Sequence, residues 1–209
     1  MENIKFDFEI KKEDFTAEGN IPCCFIEKIR THLTNKGLII CPSDTCYSVA
    51  AMCNHADIGD ILNTILERED MPFSVAVDSV KTVSEYIDSN NTVFLKLLEW
   101  FTPGPITCIG VVNDNHRRLC KIIRAEKDET IGVRVPESKI ERTIAEVVNF
   151  PITTVPVRMG KSTPIKDYNK AVSCIKESLK NKNLQESVKI AGIEANFSFA
   201  EKLSTYVCF

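Results

Sequence analysis

Residues Leu38-Ile39-Ile40-Cys41 set four apolar side chains in a row and stop at Pro42. A run with no polar alternation reads as a buried strand in the middle of a sheet. Turn chemistry follows at once, with Pro42, Ser43, Asp44 and Thr45 leading into Cys46 and Tyr47. The end of a central strand is where sheets of this kind place small-molecule crevices, and this one delivers hydroxyls and a carboxylate there. An ordinary strand-ending turn has the same composition, so the segment by itself leaves both readings open.

Helical and strand periods alternate around this strand. Ile4, Phe6, Phe8 and Ile10 alternate with polar residues, as in a half-buried strand. Phe25, Ile26, Ile29 and Leu33 follow helical spacing, with Gly37 as the expected stop. Ile58, Ile61, Leu62, Ile65 and Leu66 form the clearest amphipathic stripe. The pattern then predicts a strand over 73–77, a helix capped by Ser79, a helix over 93–101, and strands over 106–112 and 130–135. Ser138 and Glu141 have the spacing of a capping box ahead of Ile140, Ile144, Val147 and Val148. A strand over 151–155, a helix opened by Asp167 and strands over 188–190 and 203–207 complete the reading. No repeat, low-complexity stretch or Gly/Ser linker intervenes, so the chain reads as a single domain over 1–209 of α/β (α+β) class.

Two later segments bear on the polar turn. Thr102-Pro103-Gly104-Pro105-Ile106-Thr107 joins a helix-like run to a strand-like run through a stiff corner that fixes where Thr107 emerges. Ile131-Gly132-Val133-Arg134-Val135-Pro136 is an apolar strand carrying one arginine. Burying that charge requires an anionic partner, either a carboxylate of the protein or a ligand's carboxylate or phosphate.

In order and spacing these segments resemble the YrdC family of L-threonylcarbamoyladenylate synthases. The family pattern is Pro-Thr-Asp-Thr-x-Tyr-Gly, Lys-x-Arg, Pro-Gly-Pro-x-Thr, Val-Arg-x-Pro-x-His, Ser-x-Asn and Ser-Thr-Val, and the last element is matched here by Ser204-Thr205-Tyr206-Val207. The resemblance implies a large twisted mixed sheet flanked by helices, with the site on a concave face. It implies condensation of threonine, bicarbonate and ATP to threonylcarbamoyl-AMP, the donor for modifying a tRNA adenosine, with Mg²⁺ screening the phosphates. It places Ser43, Asp44, Thr45, Tyr47 and Arg134 on the threonine side, and Arg68, Thr107, Ser204 and Thr205 on the ATP side. No individual catalytic residue, tightly bound cofactor or resident metal is implied.

The chain departs from that pattern in places. Leu66 stands at the family lysine, Val155 and Val157 at the serine and asparagine of Ser-x-Asn, Ser138 at the histidine and Ser48 at the glycine. The Arg-Pro-Gly that usually follows the last strand has no counterpart up to Phe209. A lost polar contact in a buried site costs about 1–3 kcal/mol, so several together predict weakened catalysis. The alternative is a non-catalytic module that binds double-stranded RNA or a nucleotide. The basic run containing Arg117, Arg118 and Lys121 is its candidate phosphate contact, although an acidic stretch follows closely.

Composition narrows the surroundings. Net charge is −3 and apolar residues make up 44% of the chain, which argues against broad nucleic-acid affinity and gives material for a sizeable core. No apolar run is long enough to cross a membrane, and the first residues lack a signal-peptide core, so a cytoplasmic setting is expected. Nine cysteines show no paired Cys-x-x-Cys, which predicts reduced and mostly buried thiols rather than a zinc site. Nothing in the pattern specifies an oligomeric state.

Overall fold

A computed structural model describes residues 4–68, 72–88, 92–123, 129–158, 163–196, 198–201 and 205–208. Its strands are β1 (Phe6–Ile10), β2 (Leu38–Pro42), β3 (Tyr47–Met52), β4 (Val75–Ala76), β5 (Ile106–Val111), β6 (Thr130–Arg134), β7 (Ile152–Pro156), β8 (Ile190–Ile193) and β9 (Thr205–Cys208). They form one mixed sheet in the order β1-β8-β2-β3-β7-β4-β6-β5-β9. The helices are α1 (Cys23–Thr34), α2 (Ile58–Ile65), α3 (Val80–Tyr86), α4 (Thr92–Phe101), α5 (Arg117–Ile122), α6 (Lys139–Val148) and α7 (Tyr168–Asn181). β2 lies inside the sheet between β8 and β3, and all five of its residues are buried, as the unbroken apolar run demands.

Alternation along the strands divides the core in two. Ile39, Cys41, Ala50, Ala76 and Ile152 face a cluster with Ile29 and Leu33 of α1 and Ile140 and Ile144 of α6. Leu38, Ile40, Val49, Ala51, Val75, Val133 and Cys108 face the larger cluster, packed by apolar residues of α2, α3, α4 and α7. No residue of β6, β5 or β9 joins the cluster under α1 and α6. That end of the first face keeps exposed Val111 and Tyr206 among its residues and forms the open side of the sheet.

Several expectations are corrected. The polar turn does not merely end β2. It is the tip of a hairpin, with Pro42 opposite Tyr47 and the Ser43 amide donating to the Cys46 carbonyl at 2.8 Å. β3 escaped the pattern because Tyr47-Ser48-Val49-Ala50-Ala51 neither alternates nor forms a bulky apolar run. The left-handed residue ending α1 is Lys36 (φ 64°), not Gly37. Gly37 is required for space, because a Cβ there would lie 2.3 Å from His32 Nε2. The segment predicted as a strand over 73–77 pairs only at Val75–Ala76, and the basic run of Arg117 and Arg118 forms helix α5, with Leu119 buried. The other helices lie close to their expected places, with Ser79, Ser138 and Asp167 accepting capping bonds from Thr82, Glu141 and Lys170 amides.

Candidate functional site

The β2–β3 turn, the proline corner and Arg134 meet at the C-terminal end of β6. An Asp44 carboxylate oxygen lies 3.6 Å from Arg134 Nη1. The Gly104 amide donates to the Val135 carbonyl at 3.0 Å, and the Thr205 amide donates to the Pro105 carbonyl at 2.9 Å. β9 is thereby placed beside β5, with Tyr206 opposite Thr107. Thr107 Cγ2 lies 3.1 Å from where a Cβ on Gly132 would stand, so Thr107 shares a face with Gly132 and, two residues on, with Arg134.

Each polar group of the turn has a partner within the protein. The Ser48 hydroxyl donates to Ser43 Oγ at 3.0 Å, and Ser43 Oγ donates to the Cys46 carbonyl at 2.8 Å. Asp44 accepts from the Ser138 amide at 2.6 Å and the Glu137 amide at 3.3 Å, at the start of α6. A carboxylate there also meets the positive end of the helix dipole. Ser138 caps α6 and donates to the Pro42 carbonyl at 3.2 Å. Thr45 is partly buried. Tyr47 turns to the other face, against the rings of Tyr168 and Phe199, each at 5.5 Å. The structure therefore does not bring Tyr47 to the side of the sheet that carries Arg134.

Arg134 is nearly enclosed. Its guanidinium donates to both oxygens of Glu141 and to Thr154 Oγ1, with Asp44 beyond. Glu141 is wholly buried, and burial above all raises its pKa; Asp44 adds to the rise while Arg134 opposes it. The cluster sets two carboxyl groups against one guanidinium. Sequence reasoning foresaw a carboxylate partner but missed Glu141, which already had a local explanation in the capping box. The capping spacing is real at Ser138, but the Glu141 side chain goes to Arg134 instead of back to the cap.

The aligned positions of Ser-x-Asn are also corrected. Val155 and Val157 belong to the large core on the opposite face, whereas Thr154, just before them, meets Arg134. The two valines are therefore core residues and not gaps in the polar site. Thr153 donates to the Ser74 carbonyl at 3.0 Å.

Of the ATP-side residues, Thr107 shares the open face with Tyr206, whereas Thr205, opposite Ile106, lies on the other face. Arg68 is half-buried, its guanidinium 4.5 Å over the Phe73 ring, and no carboxylate among the described residues pairs with it. Desolvation lowers its pKa, Arg158 lowers it further, and the Tyr206 phenol works in the opposite sense. Tyr206 acts on Arg134 in the same sense. Thr107 is buried and Thr205 exposed. Ser204 lies outside the described residues, as does the side chain of Lys121. Arg117 is bridged to Asp114 at 2.9 Å and Glu129 at 2.6 Å, and both Arg117 and Arg118 are exposed.

The thiols divide by depth. Cys41, Cys46, Cys53 and Cys108 are buried, but Cys23, Cys24 and Cys208 are exposed, against the expectation of mostly buried thiols; two of these open α1 on its solvent side. Burial pushes the Cys53 thiol up to about 12 and holds Cys41 well above the usual thiol range. Alkylation near neutral pH is expected to label Cys23, Cys24 and Cys208 first and to spare Cys41 and Cys53 until the protein unfolds, as read by peptide mass spectrometry. No helix among the described residues is long and apolar enough to cross a membrane.

Comparison with known proteins agrees with this geometry. A Methanocaldococcus jannaschii protein provisionally named a threonylcarbamoyl-AMP synthase is 26% identical over 141 residues, 66% of this chain and 63% of that one. An uncharacterised Haemophilus influenzae protein is 28% identical over 121 residues, 57% of this chain and 56% of that one. The chain thus spans about three-fifths of the length of these relatives. Among solved structures, Escherichia coli YciO superposes with a TM-score of 0.73 at 20% identity, covering 98% of this chain and 91% of that one. P. abyssi Sua5 complexed with L-threonine superposes with a TM-score of 0.74 at 16% identity, covering 97% and 54%. These likenesses establish the mixed-sheet fold. The family model Sua5_yciO_yrdC, described as "Telomere recombination", matches residues 31–185, and the chain belongs to this Sua5/YciO/YrdC family.

Proposed function

We propose that the open face is a site of the threonylcarbamoyl-AMP synthase type, binding ATP at Arg68, Thr107 and Ser204 and threonine at the β2–β3 turn. The observation that carries this reading is the meeting of the turn, the proline corner and the Arg134 strand at one end of the sheet. The threonine complex of a Sua5 of the same fold supports the choice of amino acid. In the reaction, the threonine amine adds to bicarbonate, giving a carbamate and water. A carbamate oxygen then attacks the α-phosphorus of ATP, forming the mixed anhydride as the bond to pyrophosphate breaks. The chain's part is to hold the two reactants in line and to offset phosphate charge at Arg68. Mg²⁺ would arrive on the nucleotide. Among the described residues no group of three His, Cys, Asp or Glu side chains is placed to hold a metal.

One observation favours a second reading. Arg134 is already occupied by protein carboxylates, as in a nucleotide- or RNA-binding module that has left threonine chemistry behind. Titration of ATP with and without threonine, together with pyrophosphate release, separates the two. The first reading expects release that needs both threonine and bicarbonate, and about 10–100-fold weaker ATP binding in Arg68→Ala, from loss of a charge-assisted contact. ATP binding with no threonine-dependent release leaves the module; no ATP binding at millimolar concentration removes both nucleotide readings.

A further inference from the structure

We infer that Glu141 is an internal stand-in for a ligand carboxylate, holding Arg134 closed and setting the turn against carboxylate-bearing ligands. The proposal rests on the threonine-side assignment above. Both terminal nitrogens of Arg134 are engaged: one by Glu141 and, at longer range, Asp44; the other by Glu141 and Thr154. The fork that would grip a carboxylate bidentately is therefore filled by one the protein supplies. An incoming carboxylate would also approach a buried cluster whose acids outnumber its base by one, with little solvent to screen the repulsion.

The two acids differ in what ties them down. Asp44 is fixed by the Ser138 and Glu137 amides and serves the start of α6 whether or not Arg134 is present. The Glu141 carboxylate is held by the Arg134 and Thr154 side chains, and burial with Asp44 repulsion already opposes its charge. Glu141 is thus the member that a ligand carboxylate can replace without disturbing the helix cap. It is a specificity-setting residue acting through Arg134, not one that touches the reacting atoms.

The test uses the full chain. Glu141→Ala leaves a space beside Arg134 and Thr154, and formate is the probe, with chloride at equal ionic strength as reference. Formate is expected to raise the unfolding midpoint of the variant while leaving that of the parent unchanged. L-threonine is expected to bind Glu141→Gln, which keeps the shape, at least about tenfold more tightly than it binds the parent, with no gain for L-threoninol, whose carboxylate is an alcohol. Glu141→Asp, restoring the charge, should return threonine affinity towards the parent value. Equal responses to formate and chloride, or one threonine affinity in parent and Glu141→Gln, overturn the proposal. Formate recovery in a protein that binds neither threonine nor ATP in any variant would support the internal carboxylate and defeat the threonylcarbamoyl-AMP reading instead.

Discussion

Arg134→Met is expected to destabilise the protein by about 3–5 kcal/mol near neutral pH, because it leaves two buried carboxylates facing each other with no cation. The loss should depend on pH in a defined direction. Burial and Asp44 already raise the Glu141 pKa in the folded protein, and Arg134 is the main influence that lowers it, with the Thr154 hydroxyl adding to it. A raised carboxyl favours folding below its unfolded value and loses that contribution as pH rises through the folded value. Removing Arg134 raises the folded value further, so the deficit should be largest at neutral pH and shrink as pH falls towards the carboxylate range. Chemical denaturation at several pH values reads this, and Arg134→Met/Glu141→Met should recover much of the loss. A deficit flat in pH would show that the arginine matters through its packed stem rather than its charge.

Gly37→Ala is expected to cost about 2–4 kcal/mol, although the substitution adds only a methyl group. The new carbon would lie within 2.3–2.5 Å of three atoms of the His32 ring. That ring is held between Asp7 Oδ2 and the Leu38 carbonyl, each 3.0 Å from a ring nitrogen, and it packs edge-on against Phe8. It cannot move aside without breaking the ties among α1, β1 and the start of β2. In a His32→Ala background the same substitution should cost far less, and this double-mutant cycle is the decisive measurement. An undiminished cost would place the strain in the backbone instead.

Much of the frame was legible because local signals agreed with the fold. The stripe of Ile58, Leu62 and Ile65 and the caps at Ser79, Ser138 and Asp167 are statements about neighbours in sequence, and the helices obey them. What escaped depends on alternation or on distant partners. β3 carries small residues between two neighbouring strands and shows no period of its own. Register decides that Thr154, and not Val155, meets Arg134, and register is invisible until β7 has found β3 and β4. The Arg134 partner was foreseen as a chemical type, but Glu141 was hidden behind its capping spacing. Gly37 was matched to the right place for another reason, since the sequence does not show which ring lies against it.

The placement of β8 between β1 and β2 has a consequence for synthesis. The first strand has no sheet neighbour until Ile190–Ile193 leaves the ribosome, so Phe6 and Ile10 must wait while most of the chain is made. Assembly of this half of the sheet is therefore a late closure over long sequence separations rather than a stepwise addition from the N-terminus. Until it happens, nascent β1 and the free edge of β2 present unsatisfied strand edges to other chains, so the strand order itself creates a risk of mispairing during translation.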